Sequence, residues 1–130
     1  MKTVTICGCD PQTNYECGGM ARTYCEYCRE VMAVSMVLCA SRHLVPEAVD
    51  GAIYNNTIDD PMNFMALRRM AWERLSPLFN EGVKIVNVYV TGLTPALLTV
   101  INICHEHDVM VNTWHYDNVS NTYRMLSMTN

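Results

Sequence analysis

The stretch VKIVNVYVTGLTP, Val83 to Pro95, decides the fold. Its first eight residues are nearly all valine, isoleucine and tyrosine, with no clean apolar/polar alternation. That is the composition of a strand covered on both faces, and so of a central strand in a parallel or mixed sheet. The strand runs without a linker into Thr91-Gly92-Leu93-Thr94-Pro95. Proline has no N–H to lose at the start of a helix, and threonine can accept from the free amides of the first turn. The spacing therefore predicts a helix from Thr94, as cap, through Pro95 to about His107.

Working toward the C-terminus, Val109, Val111 and Thr113 alternate with Met110, Asn112 and Trp114, the period of a strand. Asp117-Asn118-Val119-Ser120-Asn121 is a turn, and Thr122–Met128 is a last strand paired back as a hairpin. The C-terminal half thus reads as a β-α-β-β unit. Working toward the N-terminus, Asn80-Glu81-Gly82 supplies a turn. Before it Asp59-Asp60-Pro61 predicts the start of an amphipathic helix whose buried stripe is Phe64, Leu67, Ala71 and Leu75. Ser76-Pro77 ends or bends that helix. Asp50-Gly51 and Asn55-Asn56 mark a loop or a short irregular strand. From Tyr24 to Arg42 the chain is apolar almost all round, which predicts a buried helix stopped before Pro46, with a strand inside the stretch as the alternative. Thr3–Cys7 is a first strand that opens into a loop at Gly8-Cys9-Asp10. Strands and helices alternate, so the class is α/β: a compact Rossmann-like sheet in one domain spanning residues 1–130.

The 130-residue chain carries 50% hydrophobic and 17% charged residues and a formal charge of −4. That balance is globular, with enough chain for one core. A protein that neutralises the phosphates of DNA or RNA needs a basic face, so polymeric nucleic acid is not the expected partner. No apolar run reaches the ~18 residues that span a bilayer, and no basic-then-apolar leader precedes the first strand; a cytoplasmic protein without membrane association is expected. Seven cysteines, an odd number, fit small buried apolar side chains of a reducing compartment better than a disulfide framework.

In parallel α/β sheets ligands bind beyond the carboxyl ends of the strands, where helix N-termini present unbonded amides to anions. Two segments qualify: the corner Thr91, Gly92, Leu93 and Thr94, and Gly8, Cys9 and Asp10 beside it. The competing reading is an ordinary helix cap. His115 and Tyr116 end a strand expected to run parallel to Val83–Val90 and so emerge on the same edge. Tyr116 or Trp114 can stack on a base, and His115 can act as general acid in a cleavage reaction. His105-Glu106-His107 invites a metal reading, but alternate residues of a helix diverge and this group sits at the far end of the helix from Gly92. Cys7, Cys9, Cys25 and Cys28 supply one Cys-x-x-Cys and a strand pair, half of a zinc pattern, and core packing explains them equally well. No cofactor signature is present, so neither a metal nor an organic cofactor is expected.

The run VNVYVTGLTPALLTVINICHEHDVMVNTWHYDNVSNTYRML is similar to the strand, Thr-Gly-x-Thr corner, helix, strand and hairpin of CRISPR-associated Rossmann-fold domains, which sense cyclic oligoadenylates. Thr91, Gly92 and Thr94 match the corner. Leu93 and Pro95 depart from it, where that family commonly has a second glycine and a lysine. The chain also resembles in kind the small phage-encoded sponges that hold immune nucleotide signals, including the cyclic ADP-ribose signals of Thoeris defence, and small ring nucleases. The resemblance implies a homodimer that binds and sequesters a nucleotide-derived signal in the host cytoplasm. Thr91, Thr94 and the amides after Gly92 would hold phosphate, and Asp10 a ribose hydroxyl. Cleavage of a cyclic nucleotide through His115 is the enzymatic alternative, and a zinc-stabilised interaction module is a third.

Overall fold

The computed structural model describes residues 2–5, 30–40, 45–55 and 58–128. Six strands and two helices follow in the order β1 (Lys2–Thr5), β2 (Glu30–Cys39), β3 (Ala52–Tyr54), α1 (Phe64–Asn80), β4 (Val83–Tyr89), α2 (Thr94–Glu106), β5 (Met110–Asp117) and β6 (Thr122–Met128). They build one mixed sheet, ordered β1-β2-β4-β5-β6 with β3 added to β2. β2, β3, β4 and β5 run parallel; β1 pairs antiparallel with β2, and β6 antiparallel with β5. The α/β class and the C-terminal β-α-β-β unit are as the sequence implies.

β4 is central, as its composition requires. Val86 and Val88 face the helices and join Leu67, Ala71 and Leu75 of α1 and Ala96, Val100 and Ile103 of α2 in the main core. Ile85 and Tyr89 point the other way and are also buried. Both helices therefore lie on one face of the sheet, α1 towards β3 and β4, α2 towards β5. A second, smaller cluster of Val37, Val45, Ala52 and Tyr89 forms on the opposite face, where residues 45–50 run from β2 back to β3. Arg74 of α1 reaches the same connection. Its guanidinium donates to the carbonyls of Asp50 (2.8 Å) and Ala52 (3.1 Å), so this arginine secures the backbone rather than decorating a solvated helix face.

Three expectations are corrected. The stretch expected as a buried helix over Tyr24–Arg42 contains β2 instead. Its residues 31–39 are apolar nearly all round because both faces of the strand are covered, a pattern that a buried helix shares. α1 begins at Phe64, not at Pro61. Asn63 accepts from the Ala66 amide through its side chain (3.2 Å), while Asp60 closes a local turn by accepting from the Met62 amide (3.0 Å). This shift leaves Phe64 55% exposed, outside the core stripe it was assigned to. Of the two alternatives at Ser76-Pro77, an end or a bend, the end is excluded: Pro77 lies inside the helix, one turn before its last residue, Asn80. Gly82, at φ 99°, then turns the chain into β4, a conformation that favours glycine.

Candidate functional site

The carboxyl edge of the sheet gathers the ends of β2, β4 and β5 and the start of α2. Past Tyr89, β4 ceases to pair with β2 through its main chain, and Thr91 takes over with its side chain. The buried Thr91 hydroxyl accepts from the Cys39 amide (3.1 Å) and donates to the Cys39 carbonyl (3.3 Å). Its single proton is thus directed to Cys39, and Thr91 supports the corner from beneath. Tyr54 supports the next residues in the same way, its hydroxyl donating to the Ala96 carbonyl at 3.1 Å. Burial pushes the Tyr54 phenol well above the ordinary tyrosine range, since its anion would have no water to stabilise it.

Gly92 stands exposed above this support at φ 111°, the left-handed region in which any other L-residue is strained. Leu93 occupies the cap position of α2, half-buried against the core, and no side chain caps the helix. Thr94 is the first helical residue, exposed, and does not act as the cap. The first intrahelical bond runs from the Leu97 amide to the Leu93 carbonyl (3.2 Å). Pro95 has no N–H, so the amides of Gly92, Leu93, Thr94 and Ala96 are the main-chain donors of this corner.

β5 continues past β4 on the same edge. The Val90 amide donates to the Trp114 carbonyl (2.9 Å), and His115, Tyr116 and Asp117 lie beyond that last rung. Strand alternation divides them between faces. His115 follows Val111 and Thr113 on the helix side. Its Nε2 lies 3.0 Å from the Thr113 hydroxyl, which itself donates to the Leu126 carbonyl (3.1 Å).

Trp114 and Tyr116 point to the face without helices, so the sheet stands between them and the start of α2. There they belong to an aromatic row. Trp114 stacks on Tyr89 with centroids 5.4 Å apart, Tyr89 meets the edge of Tyr123 at 5.2 Å, and Tyr123 meets Tyr116 at 5.5 Å. One register step inward, the Asn87 side-chain oxygen accepts from Asn112 and from the Trp114 indole N–H, both at 3.2 Å, which fixes the indole plane. Tyr116 is 52% exposed, and its hydroxyl donates to Asn121 in the hairpin turn (3.2 Å). Asp117 organises that turn by accepting from the Val119 amide and the Ser120 hydroxyl. Those hydrogen bonds, the Val119 amide first, hold its carboxyl below the usual carboxylate range.

The sequence reading placed Tyr89, Tyr123 and Asn87 on strands and did not count them among the site residues. The signal available was the period-two pattern: Asn87 and Tyr89 in β4, and Asn112, Trp114 and Tyr116 in β5, each share one face of their strand. Gly8, Cys9 and Asp10 lie outside the described residues, as do Cys7, Cys17, Cys25 and Cys28. Cys39 and Cys104 are buried, and no cluster of metal-binding side chains occurs among the described residues. At the opposite end of α2, Glu106 pairs with Arg68 of α1, and His107 stacks on Trp72 at 4.7 Å. Both side chains thus bridge the surfaces of the two helices at the amino edge. Among the described residues no helix is long and apolar enough to cross a membrane.

Compared with known proteins, the chain matches no family model, no curated protein and no solved structure.

Proposed function

We propose that the protein binds and sequesters a small nucleotide-derived signalling molecule, of the cyclic ADP-ribose or cyclic oligonucleotide class, at the carboxyl edge of its sheet. The observation that carries this reading is the juxtaposition on one edge of an exposed main-chain corner at Gly92 and an exposed tyrosine, Tyr116, backed by Tyr123. A nucleotide carries a phosphate and a flat base. Amides at the start of a helix suit the first, and a tyrosine ring held edge-on by its neighbour suits the second. The corner and Tyr116 belong to opposite faces, so the ligand would wrap over the edge rather than lie in a closed pocket. Binding in the cytoplasm of a phage-infected host is the setting that the sequence resemblance suggests.

The test is to incubate the purified protein with cyclic di- and oligonucleotides and cyclic ADP-ribose isomers, and to follow each by chromatography before and after heat-denaturing the protein. Depletion followed by intact release on heating supports sequestration. New products instead would support the enzymatic alternative, in which His115 acts on a phosphodiester. No depletion of any compound removes the nucleotide reading.

A further inference from the structure

We infer that the face of the sheet without helices holds a separate site, at Asn112 beside Trp114, which takes the flat ring and hydrogen-bonding edge of a nucleobase. The inference does not depend on what the Gly92 corner binds.

Three rows of paired residues cross this face. Ala33, Ile85 and Met110 form the first, and Val37, Tyr89, Trp114 and Met125 the third. Between them the register aligns Ser35, Asn87, Asn112 and Ser127, a row that is polar and uncharged. Asparagine is among the residues that strands disfavour, yet two stand opposite one another on the interior strands β4 and β5. Both are half-buried.

Fixing the indole accounts for one of them. The Asn87 side-chain oxygen accepts from the Asn112 amide and from the Trp114 indole N–H, both at 3.2 Å, so its two lone pairs are engaged. Asn112 spends one N–H on this bond. Its oxygen and its second N–H make no hydrogen bond with the described residues. An acceptor and a donor of one planar amide thus remain at Asn112, held in place by Asn87.

The surroundings say what this amide suits. Tyr89 covers one side of the indole, with centroids 5.4 Å apart and planes 16° from parallel. The cross-strand neighbour on the other side is Met125, 46% exposed, an unbranched side chain that packs against flat rings. Trp114 is two residues from Asn112 along β5, about 6.6 Å at the rise of a strand, a distance that one heterocycle covers. A base stacked on the indole therefore brings its edge to Asn112, where ring donors and acceptors meet an asparagine amide well. Phosphate does not suit this face. The three rows contain no basic residue, and, after burial, the charge of Glu47 raises the Tyr89 and Tyr123 phenols. The occupant is accordingly an uncharged base.

The probes are adenosine, guanosine, cytidine and uridine, which carry no phosphate, with ribose 5-phosphate as the base-free control and nicotinamide as a ring carboxamide. Each is titrated into isotope-labelled protein to about 5 mM, enough to detect millimolar dissociation constants, while the Trp114 indole and Asn112 amide signals are followed by NMR. At least one nucleoside is expected to move both signals, and ribose 5-phosphate neither. In Asn112→Leu the Trp114 response should weaken about tenfold. In Asn87→Asp, which keeps acceptors for both donors, it should persist. Signals that stay still for every nucleoside overturn the inference, as does an undiminished Trp114 response in a folded Asn112→Leu protein. A response to nicotinamide alone would overturn it too, and give the row to a carboxamide. Since nucleosides lack the anion that the corner would hold, sequestration of nucleotides stands or falls separately.

Discussion

Thr91 sits one residue before the corner, yet its chemistry faces inward. Replacing it with valine keeps the shape and removes, in a buried place, the hydroxyl that accepts from the Cys39 amide and donates to the Cys39 carbonyl. A loss of about 1–3 kcal/mol in urea denaturation is expected, largely restored by Thr91→Ser. Tyr54 gives a pH signature. Its folded-state pKa is raised by burial, so its contribution to stability is fully present below the unfolded value of about 10 and is lost as pH rises from there through the folded value. Stability measured in urea at pH 9 and pH 11 should fall more in the wild type than in Tyr54→Phe, and an equal fall would remove this role. Burial likewise pushes the Cys104 thiol up to about 12, so it should resist alkylation until the protein unfolds, as read by mass spectrometry.

At the scale of elements, the helices are held by their inner stripe and not by their surface charges. Leu75 is fully buried, and Leu75→Ala should cost about 2–5 kcal/mol. The Arg68–Glu106 pair is half exposed, and Arg68→Ala should cost less than about 1 kcal/mol by the same denaturation measurement. What was legible in the sequence follows the same division. β4, α2 and β5 were readable because breaker residues bound each element and the strand and helix periods are clear. β2 was not, since a strand covered on both faces loses its alternation and Val31–Cys39 then reads as a buried helix. The start of α1 was displaced because Asp60 offers the chemistry of a cap but spends it on the turn at Met62, and Asn63, three residues later, takes the position. At the candidate site, residue type pointed to Thr91, but only its depth shows that its hydroxyl is already used. Trp114 and Tyr116 were identified as neighbours of the corner, and their parity along β5 sets them on the other face. Tyr89 and Tyr123, distant in sequence, join them only through the pairing of β4, β5 and β6.

At the scale of the whole molecule, the described residues form a six-stranded sheet with both helices on one face, and its carboxyl edge carries the Gly92 corner and the aromatic row ending in Tyr116. The proposed function requires both to contribute to one ligand. Each has its own variant: Gly92→Glu inserts a side chain and a negative charge where phosphate would approach, and Tyr116→Ala removes the stacking surface while leaving the core intact. The most direct measurement is equilibrium binding of the compound most depleted from the nucleotide panel, by wild type, Gly92→Glu and Tyr116→Ala, with folding verified by circular dichroism. Binding by the wild type, abolished in Gly92→Glu and weakened about tenfold in Tyr116→Ala (about 1.4 kcal/mol), is the predicted result. Unchanged affinity in a folded Gly92→Glu protein would contradict it, and would leave the corner as the start of a helix and nothing more.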